Sequence, residues 1–319
     1  MELLGSGGRA LRAEFWCALA ALRERQLWLA LALFAALLLV AQQAPLDYRV
    51  DVGLEEGYAS DLPMLTGFFP FELANNETLN LRWTSEKSTI SLPGLGPRPL
   101  QLTLRLLPVN DEVAQNGPQA LAISADGQTL GALELRPRTG ASYRILVPPA
   151  PPGSSDHTII LSSPTYTPSG DLRALGTPID DLRISTAAGP YAPPWQTDAT
   201  WLGAAVLLWL AIRRTDLCAP RAFQLMLPLI GLACVAALLD PPRFAFGSAT
   251  ALIIGALGLV FVLLLTVAPA GLLLAGAGVA VLALVARFIP LGDAGALIGA
   301  TLAGAALALV LAGWLRPRL

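Results

Sequence analysis

The sequence predicts an α-helical membrane bundle of six transmembrane helices with an all-β extracytoplasmic sandwich of the jelly-roll type inserted between helices 1 and 2. Three observations predict this fold. Hydrophobic residues make up 54% of the 319 residues and charged residues only 14%, whereas a soluble domain has about 25% charged residues. Long apolar runs occupy the N-terminal part and the region after residue 198. Residues 45–197 instead alternate short β-like runs with Pro, Gly, Asn and Asp.

Apolar runs give the order of the segments. We predict a cytoplasmic segment at 1–26, a first transmembrane helix at 27–44, the sandwich at 45–197 and a five-helix membrane domain at 198–319. The first helix is expected to stay attached as a signal anchor, because no A-x-A cleavage site precedes Pro45. The later spans are expected near residues 201–212, 222–239, 244–267, 271–286 and 294–315.

The arginines predict which side of the membrane each segment occupies. Six helices put both termini on one side, and the segments on that side hold Arg9, Arg12, Arg23, Arg25, Arg213, Arg214, Arg221, Arg316 and Arg318. The other side has Arg243 and Arg287 in its short loops. Cytoplasmic loops carry the excess of Lys and Arg. We therefore expect a multi-pass protein of the plasma membrane with cytoplasmic termini and an extracytoplasmic sandwich.

Alternation with a period of two residues predicts the strands. In residues 100–106 (LQLTLRL) leucine alternates with polar side chains, which is typical of a sheet with one buried face. Asp126 and Gly127 supply the positive φ that a type I′ hairpin turn needs. Ten strands are expected, near 48–52, 67–72, 78–84, 89–92, 100–107, 119–124, 129–135, 142–147, 158–162 and 181–185. Such a series favours an antiparallel sandwich.

Cysteine and histidine counts limit the cofactor chemistry. Cys17, Cys218 and Cys234 all lie outside the predicted sandwich, so no disulfide is available to it. His157 is the single histidine, and we expect it to be a surface or strand residue. Zinc and haem sites of ordinary ligation are therefore disfavoured. We predict no cofactor and no metal, with a carboxylate-bound divalent cation only if the protein is an enzyme.

The membrane domain is rich in small residues and poor in buried charge. Gly295 and Gly299 form a GxxxG step that Ala303 extends, and Ala251 with Gly255 repeats the spacing. This pattern favours close helix packing, either within the chain or against another integral membrane protein. The interiors of the later spans contain almost no ionisable group, which disfavours an ion-coupled transporter.

Two stretches resemble known families and together cover about half of the chain. Asp51, Asp61 and Glu72, with the motifs LTGF (65–68), LRWT (81–84) and STISLPG (88–94), resemble the extracytoplasmic entry segment of bacterial multispanning proteins classed as glycosyltransferase-like. The motifs DLRALG (171–176) and IDDLRI (179–184) resemble the closing strands of jelly-roll, galactose-binding-like modules attached to carbohydrate-active enzymes. The first resemblance implies a polyprenyl-phosphate sugar as substrate and an acidic metal-binding motif after the first span. Those enzymes have more than six spans.

The acids after the first span are the candidate catalytic residues under that resemblance: Asp51, Glu55, Glu56 and Asp61, with Asp47 nearby. Two carboxylates and a divalent ion can hold a diphosphate leaving group. The alternative is that Glu55, Glu56 and Asp61 are solvated loop charges and that Asp51 caps a turn.

Four residues of the sandwich are candidates for ligand binding. Trp83 offers a surface on which a sugar can stack, and Arg82 offers donors for hydroxyl or phosphate groups. Strand alternation instead buries Trp83 in the core and turns Arg82 outward. Asp171 and Arg173 are the second pair, with a structural loop lock as the alternative.

Three functions stay open. The leading hypothesis is a non-catalytic accessory or structural membrane protein whose sandwich binds a glycan, a lipid-linked sugar or a protein partner. The second is a membrane glycosyltransferase, and the third is a structural subunit of a larger membrane complex. Residues 45–197 carry sixteen acidic and ten basic side chains, so we expect no nucleic-acid partner, which would favour a basic surface.

Overall fold

A computed structural model gives the fold and describes residues 15–55, 60–74, 79–151, 153–215 and 217–267. The chain divides into two compact units. The β-rich unit comprises Gln42–Trp195 and Asp240–Ala245, and the helical unit comprises the remaining residues. Glu56, Gly295, Gly299, Ala303 and the spans expected at 271–286 and 294–315 lie outside the described residues.

The described helices are α1 (Arg25–Gln42), α2 (Asp111–Asn116), α3 (Trp195–Arg214), α4 (Ala219–Leu239) and α5 (Pro241–Val267), and residues 15–22 are also helical. Within the described ranges, three segments are long and apolar enough to cross a membrane: α1, α4 and residues Pro241–Val260 of α5. They contain the span expected at 222–239 and most of the spans expected at 27–44 and 244–267. The span expected at 201–212 lies inside α3, and it stays a prediction.

One face of α1 packs within the helical unit. Its buried residues are Leu27, Ala30, Phe34 and Leu38, which follow one another at intervals of three and four residues and so form a single stripe. Most of the remaining apolar side chains of α1 are exposed. A helix with an apolar surface on more than its packed side is suited to contact with lipid.

The strands of the β-rich unit are β1 (Leu46–Asp51), β2 (Leu65–Phe68), β3 (Glu72–Ala74), β4 (Leu79–Leu92), β5 (Leu100–Leu106), β6 (Ala120–Ala125), β7 (Gln128–Glu134), β8 (Ala141–Val147), β9 (His157–Ser162) and β10 (Pro178–Thr186). All of their pairings are antiparallel. One group runs β1, β10, β5, β8, and the other runs β2, β4, β9, β6, β7. The first residues of β4 pair with β3 and β10, so this long strand joins the two groups.

The predicted antiparallel β-sandwich is confirmed, and its core follows the alternation in the sequence. Leu100, Leu102 and Leu104 of β5 are almost completely buried, whereas Arg105 is exposed. The expected hairpin turn is present, since Asp126 and Gly127 have φ values of 51° and 82°, as a type I′ turn requires. His157 lies in β9, as expected for a strand residue, and it is completely buried.

Three elements differ from the prediction. The strand expected at 67–72 is divided into β2 and β3, because Pro70 has no N–H for the ladder. The strands expected at 78–84 and 89–92 are one strand. The hydroxyl of Ser88 donates to Gly67 O at 2.6 Å and accepts from Ser85 N, so the polar residues between the two expected strands have hydrogen-bond partners. The helix α2 was not expected, although Asn110 caps it by accepting from Val113 N at 2.9 Å.

A short segment from the helical part of the sequence completes the β-rich unit. Arg243 donates to the hydroxyl of Tyr48 at 2.7 Å and to the carbonyl of Ser60 at 2.9 Å. It also pairs with Asp240 at 2.8 Å. These bonds explain why residues 240–245 group with the strands, which are distant in the sequence.

Candidate functional site

Arg82 is the centre of a buried ion pair near the start of β4. Its Nε donates to Asp61 Oδ2 at 2.7 Å, and its Nη2 donates to Asp61 Oδ1 at 2.9 Å. Asp61 has no solvent exposure, and it accepts a further bond from Gly53 N at 2.6 Å. Two parallel charge-assisted bonds of this kind are among the stronger polar contacts in proteins.

The expectation that Arg82 faces outward is wrong, because Arg82 is only 3% exposed. Glu55 accepts from Nη2 at 3.1 Å, and the carbonyl of Phe69 accepts from Nη1 at 3.1 Å. The segments that carry Glu55, Asp61 and Phe69 therefore cover the face of β4 that alternation assigns to solvent. Burial lowers the pKa of Arg82, but Asp61 and Glu55 outweigh this effect, so the net pKa is raised.

Arg173 is the centre of a second, more accessible set of contacts. Its Nη1 lies 2.5 Å from Glu72 Oε1, and its Nη2 lies 2.7 Å from Asp171 Oδ2. Trp83 donates from Nε1 to Glu72 Oε2 at 3.0 Å. The hydrogen bonds from Arg173 lower the pKa of Asp171 to about 2. The side chains of Arg173, Glu72 and Asp171 are 35%, 35% and 24% exposed.

Phe69 connects the two centres. Its carbonyl accepts from Arg82, and its ring lies under the guanidinium of Arg173, with 5.7 Å between the guanidinium carbon and the ring centroid. We call the connected side chains of Glu55, Asp61, Phe69, Glu72, Arg82, Trp83, Asp171 and Arg173 the arginine network. All four residues predicted to bind a ligand belong to it. Its Arg82 side is buried, and its Arg173 side reaches solvent.

The predicted acids do not form one site. Glu55 and Asp61 contact Arg82, whereas Asp51 lies at the end of β1, opposite Asp181 in the ladder. Among the residues that the structure describes, no three His, Cys, Asp or Glu side chains are placed to hold a metal ion. Asp61 uses both carboxylate oxygens as acceptors within the protein. Because Asp61 also has no solvent exposure, the geometry gives it a structural role.

Sequence reasoning missed the residues that link and flank the network. Glu72 joins Trp83 to Arg173, but the sequence analysis named Glu72 only for the family resemblance and not as a binding residue. Phe71, Leu73 and Leu172 are exposed large hydrophobic residues. Each is next in sequence to Glu72, Asp171 or Arg173.

A small cavity lies elsewhere in the β-rich unit. It has a volume of about 20 Å³ and is lined by residues that include Leu107, Val113, Tyr143 and Thr177. This space holds about one water molecule, so the cavity is too small to be a ligand site.

Gly255 lies at a close contact within the helical unit. A Cβ atom at this position of α5 would come within 3.2 Å of Leu207 Cβ and 3.4 Å of Ala204 O in α3. A larger side chain at this position would crowd α3, as expected where a small residue lies between two closely spaced helices. Its role in packing stays a prediction, as do the roles of the small residues near the C-terminus.

Fold and site together define a class of protein: an all-β sandwich in a chain with helices able to cross a membrane. No family model and no curated protein matches the sequence. The resemblance to glycosyltransferase-like proteins therefore stays a prediction.

Several solved structures are similar to part of the chain. The CBM36-1 domain of a multidomain xylanase from the hindgut metagenome of Trinervitermes trinervoides is 18% identical, and the match covers 45% of this chain and 100% of that one with a TM-score of 0.28. A family 35 carbohydrate binding module from Clostridium thermocellum is 11% identical, with coverage of 44% and 97% and a TM-score of 0.28. The ANX1 ectodomain from Arabidopsis thaliana is 14% identical, with coverage of 44% and 42% and a TM-score of 0.32.

Proposed function

We propose that this chain is a membrane-anchored, non-catalytic protein whose outward sandwich binds a glycan at the accessible side of the arginine network. The observation that carries the proposal is the pair of partly exposed ion pairs that Arg173 makes, with Glu72 at 2.5 Å and with Asp171 at 2.7 Å. Helical segments that are long and apolar enough to cross a membrane, three of them among the described residues, supply the anchor in this proposal.

The chemistry of the group suits a sugar. A guanidinium and two carboxylates offer fixed donors and acceptors, as the hydroxyl groups of a sugar require. Phe71 and Leu172 are exposed apolar residues next in sequence to the charged ones, and apolar surface suits the C–H faces of a sugar ring. A small number of placed polar groups beside apolar surface is the usual composition of a ligand site.

The buried side of the network positions the accessible side. Arg82 donates a hydrogen bond to the carbonyl of Phe69, and the Phe69 ring lies under Arg173. Trp83 fixes Glu72 through its indole N–H. Arg82 and Trp83 therefore act as positioning residues in this proposal, and Arg173, Glu72 and Asp171 touch the ligand.

Glycan capture by the full-length protein tests the proposal. The protein in lipid nanodiscs is applied to an array of bacterial and plant glycans, and affinity for any retained glycan is then measured by calorimetry. Arg173→Met should weaken binding about 10- to 100-fold, because hydrogen bonds to a charged group contribute about 1.5–3 kcal/mol. Arg183→Met is the matched control, because Arg183 of β10 forms an ion pair with Asp47 of β1 and lies outside the network.

Two outcomes contradict the proposal. One is that no glycan on the array is retained by the folded protein. The other is that a glycan is retained with the same affinity by the wild type and by Arg173→Met. Glu72→Gln checks the result with a change that preserves shape, and its expected loss of affinity is in the same direction.

A further inference from the structure

The edge of the Arg173 guanidinium that binds carboxylates best is already occupied. Nε donates to Asp171 Oδ1 at 3.0 Å, and Nη2 donates to Asp171 Oδ2 at 2.7 Å, so the two side chains form a bidentate pair. This fork is the arrangement in which arginine recognises carboxylates and phosphates. A carboxylate on a ligand therefore binds along this edge only if it displaces Asp171.

The rest of the guanidinium is in contact with Glu72 and Phe69. Nη1 lies 2.5 Å from Glu72 Oε1, and the Phe69 ring covers one face of the group, with its centroid 5.7 Å from the guanidinium carbon. An arginine has five N–H groups, and Asp171 takes two of those of Arg173. The N–H groups that remain can donate to a hydroxyl oxygen of a sugar, which brings no charge.

The accessible side of the arginine network carries an excess of negative charge. Arg173 supplies one positive charge, whereas Glu72 and Asp171 supply two negative charges. The hydrogen bonds from Arg173 hold the pKa of Asp171 at about 2, so this carboxylate stays charged at neutral pH. The surrounding domain has the same sign, because residues 45–197 hold sixteen acidic and ten basic side chains. Local and overall charge therefore both repel an anionic ligand and attract a cationic one.

We propose that the accessible side of the arginine network selects sugars by their charge, and that it binds amino sugars most tightly, neutral sugars less tightly and carboxylated sugars least tightly. The ammonium group of an amino sugar is attracted by the excess carboxylate charge, and the sugar hydroxyl groups accept from the remaining N–H groups of Arg173. This inference rests on the proposed glycan site and names the class of sugar that the site takes.

Coulomb's law gives the size of the expected selectivity. Two unit charges about 5 Å apart, in surroundings as polar as water, change a dissociation constant about 4-fold. An ammonium group gains this factor and a carboxylate loses it. An amino sugar should therefore bind roughly 10- to 20-fold more tightly than a carboxylated sugar on the same backbone. Because the ion pairs of Arg173 are partly exposed, salt should screen this difference.

An array of matched glycans tests the inference on the full-length protein in nanodiscs of phosphatidylcholine. Each backbone is presented with a free amine, without charge and with a carboxylate, at about 20 mM and about 500 mM NaCl. At low salt, affinity should decrease in the order amine, neutral, carboxylate, and high salt should reduce the differences. A carboxylated form that binds as tightly as its amino counterpart at low salt overturns the inference and leaves the glycan site standing. Retention of no form of any backbone refutes the glycan site itself.

Asp171→Asn tests whether this carboxylate sets the preference. The change removes the excess negative charge and opens the bidentate edge of Arg173, so the ratio of amino-sugar to carboxylated-sugar affinity should fall roughly 10-fold. Asp47→Asn is the matched control, because Asp47 forms the same kind of bidentate pair with Arg183 outside the network. Both sugars are compared on the same variant, so a partial loss of folded protein leaves the ratio unchanged. Glu72→Gln should lower the ratio in the same direction, and ratios in Asp171→Asn and Glu72→Gln equal to that in Asp47→Asn overturn the inference.

Discussion

Arg82→Met tests whether the buried ion pair holds the sandwich together. Methionine keeps a long unbranched side chain but removes every donor of Arg82. Asp61, which has no solvent exposure, then keeps only the bond from Gly53 N among the hydrogen bonds described for it. Removing one partner of a buried pair costs about 3–5 kcal/mol, because the remaining charge is desolvated and unpaired. We expect a loss of this size in the free energy of unfolding of the β-rich unit.

Two further variants give the result its meaning. Arg183→Met removes the same kind of side chain from an ion pair with Asp47, whose members are 59% and 57% exposed, and exposed pairs of this kind add little stability. Asp61→Leu combined with Arg82→Met removes both buried charges. This double variant should be less destabilised than the sum of its single variants, because neither charge is left without its partner.

Urea unfolding of the full-length proteins in mild detergent, followed by the β-strand signal in circular dichroism, gives the comparison. The midpoint should fall strongly for Arg82→Met at an unchanged m value, which indicates a change in stability alone. If Arg82→Met costs no more than Arg183→Met, the pair is not desolvated as described and our reasoning about the network is refuted.

Three other predictions concern pH and backbone geometry. The hydrogen bonds from Arg173 lower the pKa of Asp171 to about 2. The stability that the charged Asp171 contributes should therefore be lost as the pH falls from about 4 to about 2. In Asp171→Asn, the urea midpoint should change less with pH over this range. Burial raises the pKa of Asp180, with Asp181 and Asp51 adding to the effect against Arg105; its charge is therefore costly in the folded state, and Asp180→Asn should be at least as stable as the wild type at neutral pH. A lower midpoint for Asp180→Asn in the same assay would contradict this. Gly94→Ala should lower the free energy of unfolding more than Gly153→Ala does. Both residues have positive φ, which costs about 1–2 kcal/mol for a side chain. Only at Gly94 would the new Cβ atom meet Ala245 Cβ, at 2.6 Å. Equal midpoints for the two alanine variants would show that the structure around Gly94 relaxes at no cost and would contradict the prediction.

The pattern of the sequence was sufficient for most of the sandwich. Alternation in residues 100–106 predicted β5 with its buried face, and Asp126-Gly127 predicted the hairpin turn. The pattern failed where tertiary contacts decide. Residues 85–88 are polar and were expected to interrupt a strand, but bonds between Ser88, Ser85 and Gly67 keep β4 continuous.

The site was predictable in composition but not in arrangement. Arg82, Trp83, Asp171 and Arg173 were selected for their chemistry, and they do belong to one network. Alternation predicted that Arg82 faces solvent, and it could not show that Asp61, 21 residues earlier in the sequence, lies on that face. The link through Phe69 and Glu72 depends on how loops fold over β4, and short-range patterns carry no information about this.

The contacts of Arg243 with Tyr48 and Ser60 have a practical consequence for expression of the sandwich. During synthesis the ribosome completes the strands well before it reaches residue 243. The newly made domain therefore lacks the hydrogen bonds from Arg243 to Tyr48 and Ser60 until that residue is added. A recombinant fragment that stops at residue 195 never receives them. A recombinant form of the sandwich is therefore best made by joining residues 240–245 to its C-terminal end through a short linker.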